Sequence, residues 1–156
     1  MKLRILSVGH KMPAWIESGY AEYAKRMPPD AALELIEIKP EKRAAGSSTD
    51  RIQKIEAERI ISVLPNQAML IALDEHGKQL TTAELADMLS RWMREGDQPC
   101  FVIGGADGLD ASLKTRADLL LGLSRLTLPH GLARVMLAEQ LYRSVSLLKG
   151  HPYHRE

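Results

Sequence analysis

At 156 residues and 17.4 kDa, with 45% apolar and 26% charged residues, the chain has the size of one domain able to build a core without a metal or a disulfide. Its 21 basic and 20 acidic residues leave a net charge of +1, which excludes nucleic-acid binding through overall charge and leaves only local basic clusters for that purpose. The single cysteine, Cys100, excludes an internal disulfide, and no stretch approaches the roughly 18 uncharged residues of a membrane span, so a cytoplasmic protein without a membrane partner is expected.

Leu3 to Val8 has the pattern of a strand ending at Gly9. Pro13 suits the first turn of a helix in which Trp15, Ile16, Gly19, Tyr20, Tyr23, Ala24 and Met27 recur at three and four, and Pro28-Pro29 stops it. Leu33 to Ile38 alternates as a strand with one wet face. The loop from Lys39 to Thr49 carries Lys39, Lys42 and Arg43, and Asp50 with Gln53 forms a candidate capping box for a helix holding Ile52, Ile55, Ile60 and Val63.

Ala68 to Leu73 is apolar throughout, as a strand covered on both faces requires, and Asp74 to Lys78 is expected as a polar turn. Thr81 and Glu84 form a second capping box, ahead of a face traced by Leu85, Met88, Leu89, Trp92 and Met93. Strand and helix alternate up to Phe101–Ile103, which predicts one α/β domain over 1–156 with a mostly parallel sheet flanked by helices.

The last third holds most of the chemistry. Gly104-Gly105-Ala106-Asp107-Gly108 follows an apolar strand, and a glycine pair there admits positive φ and close approach of a ligand. Leu123 to Gly131 is a second loop, with room for only a very short strand before the final helix, Leu132 to Leu148. Arg134 falls within that helix's apolar arc, so it should be paired, or face a second subunit or an anionic ligand. The terminal His151-Pro152-Tyr153-His154-Arg155-Glu156 combines an aromatic ring, a guanidinium and two imidazoles.

Several chemistries are disfavoured. Gly9-His10-Lys11-Met12-Pro13 after the first strand is no dinucleotide fingerprint, and the chain has no P-loop, no C-x-x-C and no G-x-S-x-G. His151 and His154, with His130 as the other nearby histidine, make a poor ligand set, so no metal is expected.

The runs GGADGL, LSRLTLPHGLARVMLAEQLYR and HPYHRE, with the opening MKLRILSVGHKMPAWIESGYAEYAKR, resemble the small SPOUT-superfamily methyltransferases that modify N3 of a pseudouridine in 23S ribosomal RNA. The resemblance implies a C-terminal trefoil knot, a cofactor-binding knotted region over about 100–156, S-adenosylmethionine as cofactor, a homodimer, and the ribosome rather than DNA as partner. It places the cofactor on Leu73, Gly105, Ser124, Arg125, Leu126, Thr127, Leu128 and Pro129. It also brings the tail to the active site, with His154 as candidate base, Arg155 for charge stabilisation or phosphate placement, and Tyr153 for stacking or proton relay. Two other classes remain open: a non-catalytic ribosome-binding or assembly factor, and a small α/β enzyme using another nucleotide.

Overall fold

The computed structural model describes residues 1–155, with the side chain of His154 outside the description. Five strands, β1 (Lys2–Val8), β2 (Ala32–Ile38), β3 (Met69–Gln79), β4 (Pro99–Ile103) and β5 (Leu119–Gly122), form one parallel sheet in the order β2-β1-β4-β3-β5. Helices α1 (Ala14–Ala24), α2 (Thr49–Val63), α3 (Thr82–Glu95), α4 (Ala111–Arg116) and α5 (His130–Leu148) link the strands or follow them, as parallel pairing demands.

Alternation along the strands builds two cores. Leu3, Ile5, Ile71, Phe101 and Leu121 meet Leu85, Leu89 and Trp92 of α3 and Leu137, Leu141 and Val145 of α5 on one face. Leu6, Val8, Leu70, Ala72, Cys100 and Val102 meet Ala57 and Ile60 of α2 and Leu113 of α4 on the other. Both faces of β4 are buried, which accounts for its unbroken apolar run. Trp92 and Phe101 pack edge to face at 6.2 Å, and burial of each such side chain contributes about 2–3 kcal/mol.

The helix starts follow their local chemistry. At α3 the Thr81 hydroxyl accepts from the Glu84 amide at 3.1 Å while the Glu84 carboxylate accepts from the Thr81 amide at 2.9 Å. At α2 the expected box is replaced: Ser48 is the cap, its hydroxyl accepting from the Arg51 amide at 3.2 Å. Gln53 instead donates to the Asp107 carbonyl at 2.6 Å, tying α2 to the glycine turn after β4.

Two further expectations are corrected. Residues 74–78 are not a simple turn after β3, because the strand runs on to Gln79 and pairs with β5 across a register shift between Leu73 and Lys78. Gly77 makes this bulge feasible, since a Cβ there would stand 2.7 Å from the Gly122 nitrogen. The short strand of the last third is β5 at Leu119–Gly122, ahead of the loop in which it was expected, and 123–129 contains no strand.

Candidate active site

The bulge on β3, the glycine turn after β4 and the loop after β5 converge on one cleft of 740 Å³ at the carboxyl ends of these strands. That size lies within the usual range for small-molecule sites, about 300–1,000 Å³. Its walls include Leu73, Asp74 and Glu75 from β3, Gly104 to Leu109 after β4, Ser124 and Leu126 to Pro129 after β5, and His130 and Ala133 from α5. The strand ends singled out in the sequence are thus brought together. Of the residues assigned there to a cofactor, Leu73, Gly105, Ser124, Leu126, Thr127, Leu128 and Pro129 line the cleft, whereas Arg125 is not part of its wall.

The loops are held by short-range polar contacts. The Ser124 hydroxyl accepts from the Leu126 amide at 2.9 Å, and Thr127 donates to the Glu75 carboxylate at 3.2 Å, linking the loop after β5 to the β3 bulge. Lys114 of α4 lies 3.5 Å from Asp74. Leu126 is left 75% exposed at the rim.

A Cβ on Gly105 would stand 3.0 Å from Val8 Cγ1 and 3.5 Å from Glu56 Oε1, so its bare face is turned to the protein interior and serves packing of the turn onto β1 and α2. A Cβ on Gly104 would stand 2.7 Å from the carbonyl carbon of Gly108, which makes this glycine a requirement for turn closure. Beneath the turn, the buried Glu56 accepts from the Glu41 amide at 3.0 Å through Oε2, while its Oε1 has no hydrogen-bond partner. Burial, opposed by that amide bond and reinforced by Asp107, pushes the Glu56 carboxyl above its usual pKa. Asp107 is paired with Arg43 of the basic loop at 2.7 Å.

Arg134 is paired within its own chain. Nearly fully buried, it donates to Glu37 at 2.9 Å, to the Ser7 hydroxyl at 3.2 Å and to the Gly9 carbonyl at 3.5 Å. The N-terminal part of α5 is thereby stapled to the ends of β1 and β2. One helical turn earlier, His130 lines the cleft, and its ring edge lies 3.6 Å from the place a Cβ on Gly9 would take. Burial, and then the Arg134 guanidinium, lower its pKa below the usual 6.5. The sequence considered His130 only as a metal ligand, although its place beside the Thr127-Leu128-Pro129 run was a signal that it borders the site.

The described tail residues lie elsewhere. Pro152–Arg155 forms a short 3-10 turn in which Tyr153 packs 4.7 Å from Tyr142, lies under Arg143 at 4.9 Å, and donates to Glu139 at 3.2 Å. Burial, contact with Tyr23 and the Glu139 carboxylate all raise the phenol's pKa. Tyr142 is twelve residues beyond His130, about 18 Å along the helix. Neither Tyr153 nor Arg155 lines the cleft of its own chain, and the catalytic side chain expected at His154 lies outside the described groups. Among the described residues no group of three or more His, Cys, Asp or Glu is arranged to hold a metal ion, and no helix is long and apolar enough to cross a membrane.

A ligand cleft between loops at the carboxyl ends of a parallel sheet defines an α/β enzyme whose site is built late in the chain rather than after the first strand. Residues 1–154 match the family model described as "Predicted SPOUT methyltransferase", and the chain belongs to that methyltransferase family. It is 58% identical over 155 residues to the ribosomal RNA large subunit methyltransferase H of Ralstonia nicotianae, covering 99% of each chain. It is also 58% identical over 156 residues to the protein of that name from Thiobacillus denitrificans, covering 100% of each. A probable methylase family protein from Haemophilus influenzae shares the fold with a TM-score of 0.60 at 13% identity, over 97% of this chain and 69% of that one.

Proposed function

We propose that the protein transfers a methyl group from S-adenosylmethionine to N3 of a pseudouridine in 23S ribosomal RNA. The proposed substrate is the assembled ribosome, met in the cytoplasm, and the acting species a homodimer. The observation that carries this reading is the cleft formed by loops 104–108 and 123–129, in a chain that matches ribosomal RNA large subunit methyltransferases over its whole length. The knotted threading of about 100–156 belongs to the same proposal.

The cleft suits such a donor. Leu73, Leu126 and Leu128 offer apolar surface for an adenine ring, with the backbone of 124–129 supplying hydrogen-bonding groups. Asp74, Glu75 and Asp107 place carboxylates on the wall of a site that must accept a cationic sulfonium and an ammonium group. When bound, the donor supplies an electrophilic methyl group with a neutral thioether as leaving group. The protein's part is alignment of the ring nitrogen with that methyl group, exclusion of water and handling of the imide proton.

In a two-fold dimer the tail of one protomer would serve the cleft of the other, since Tyr153 and Arg155 do not line their own. Tyr153 would stack on a base, Arg155 would neutralise phosphate or developing charge, and His154 would face the same substrate. Exposed Trp15 on α1 and Leu147 and Leu148 at the end of α5 provide apolar surface for such a pairing. Local rather than global charge recognises the RNA, through the basic loop with Lys39, Lys42 and Arg43.

The test is mass mapping of 23S ribosomal RNA from cells lacking the protein, before and after adding it back to their ribosomes with S-adenosylmethionine. A gain of one methyl group on a pseudouridine is expected. Ribosome binding without methyl transfer would instead favour an assembly factor.

A further inference from the structure

We propose that His130 is the proton acceptor of the reaction, taking the imide proton from the ring nitrogen that is methylated. The inference rests on the function proposed above and concerns the same cleft. Three geometric observations carry it. His130 is the sole histidine among the cleft-lining residues. Its ring is half-buried, has no hydrogen bond to another described residue, and turns its Cδ2–Nε2 edge toward Gly9, where a built Cβ would stand 3.6 Å from it. It occupies the first position of a 19-residue helix whose cap, Pro129, provides no side-chain acceptor, so free backbone amides surround it.

The charges around this ring favour the neutral imidazole that a base requires. Arg134 follows one turn along the same helix face, with Glu37 of β2 paired behind it, and His10 and Lys11 belong to the loop after β1. On the opposite wall stand Asp74 and Glu75 of β3, Asp107 after β4 and Lys114 of α4. Asp74 is engaged by Lys114, Asp107 by Arg43 and Glu75 by Thr127, so these carboxylates already have partners. Burial and Arg134 therefore prevail and hold the ring below its usual pKa.

The same positive helix end that opposes imidazolium stabilises negative charge developing on the uracil ring. The step balances. The N–H electrons remain on the ring nitrogen as its proton passes to the imidazole. The nitrogen pair forms the new N–C bond as the C–S bond of the sulfonium donor breaks toward sulfur, and the imidazolium then releases its proton to solvent. The tail histidine is thereby relieved of the acceptor role that the sequence assigns to it, and serves substrate placement.

The experiment compares wild-type protein with His130→Gln, which keeps a polar side chain but cannot take up a proton, and with His154→Ala. Single-turnover methyl transfer to undermethylated ribosomes is followed across the pH range, donor affinity is measured by calorimetry, and the His130 ring is titrated by NMR in the free enzyme. The wild-type rate should fall at acid pH with an inflection that matches the NMR pKa of His130, below 6.5. His130→Gln should bind the donor normally and lose about 100-fold or more in rate near neutrality. It should lose the inflection and recover at alkaline pH as the imide sheds its own proton, and His130→Ala should be rescued by added imidazole. His154→Ala should lower the rate without moving the inflection.

An unchanged pH profile in His130→Gln overturns the proposal, as does a loss of donor affinity that accounts for the whole loss of rate. Wild-type protein that binds the donor but methylates no ribosome would bring down the functional proposal itself, and the role of His130 with it.

Discussion

Arg134 on α5 and Glu37 on β2 meet at 2.9 Å across 97 residues of sequence, one of them nearly fully buried and the other partly open to water. The pair fixes the N-terminal part of the last helix against the ends of β1 and β2, beside the cleft. Loss of the arginine would leave Ser7 and the Gly9 carbonyl without this donor in the interior. Arg134→Met should therefore cost about 2 kcal/mol by denaturant unfolding, because the Glu37 carboxylate it leaves is partly solvated, and Glu37→Gln about 3 kcal/mol, because it leaves a buried guanidinium without its counter-charge. A Glu37→Gln protein as stable as wild type would contradict this asymmetry.

The glycine turn should tolerate substitution according to where the missing Cβ faces. In Gly104→Ala the new methyl group meets backbone at 2.7 Å, so the turn must open and both stability and donor affinity should fall. In Gly105→Ala the neighbour is a valine methyl group at 3.0 Å, and a smaller loss, about 1–2 kcal/mol, is expected, with donor binding affected only as the turn shifts. Thermal unfolding and calorimetry on both variants check the order. A Gly105→Ala protein of normal stability with no donor binding would point to a direct ligand contact at this position.

Glu56 links stability to pH. Because its folded-state pKa lies above the ordinary 4.5, its contribution is complete below that value and is lost as pH rises through the raised one. Glu56→Gln removes the ionisable group while leaving an acceptor for the Glu41 amide. The variant should gain on wild type as pH rises through the raised pKa. Parallel denaturation curves for the two proteins at every pH would show that the carboxyl is not shifted.

The tail should separate stability from activity. Truncation before Tyr153 removes, among the described residues, its ring contact with Tyr142, its cation–π contact with Arg143, its bond to Glu139 and its contact with Tyr23, worth about 2 kcal/mol together, and leaves both cores whole. Tyr153→Phe should lose the hydroxyl's bond to Glu139 and its contact with Tyr23, for about 1 kcal/mol. Methyl transfer to ribosomes should collapse in the truncation while the fold persists in circular dichroism and the proposed dimer in sedimentation. Full activity of the truncated protein would remove the tail from the mechanism.

Periodicity by itself determined the alternation of β1 to β4 with their helices, because apolar period and the capping pair Thr81 and Glu84 are local properties. The unbroken apolar run at Phe101–Ile103 likewise announced burial on both faces. Leu73, Gly105 and the run 124–129 could be assigned to one pocket from the sequence through family resemblance. Tertiary structure decided the rest. The β3 bulge exists because Gly77 lets β5 come close, and no local signal in Asp74-Glu75-His76-Gly77-Lys78 distinguishes that from a turn. Gln53 pairs with Asp107 rather than capping its own helix because the glycine turn is packed against α2, a neighbour 54 residues away. The bare face of Gly105 looks inward, His130 faces the cleft and Tyr153 does not, since side-chain direction follows from packing between elements that sequence spacing alone does not bring together.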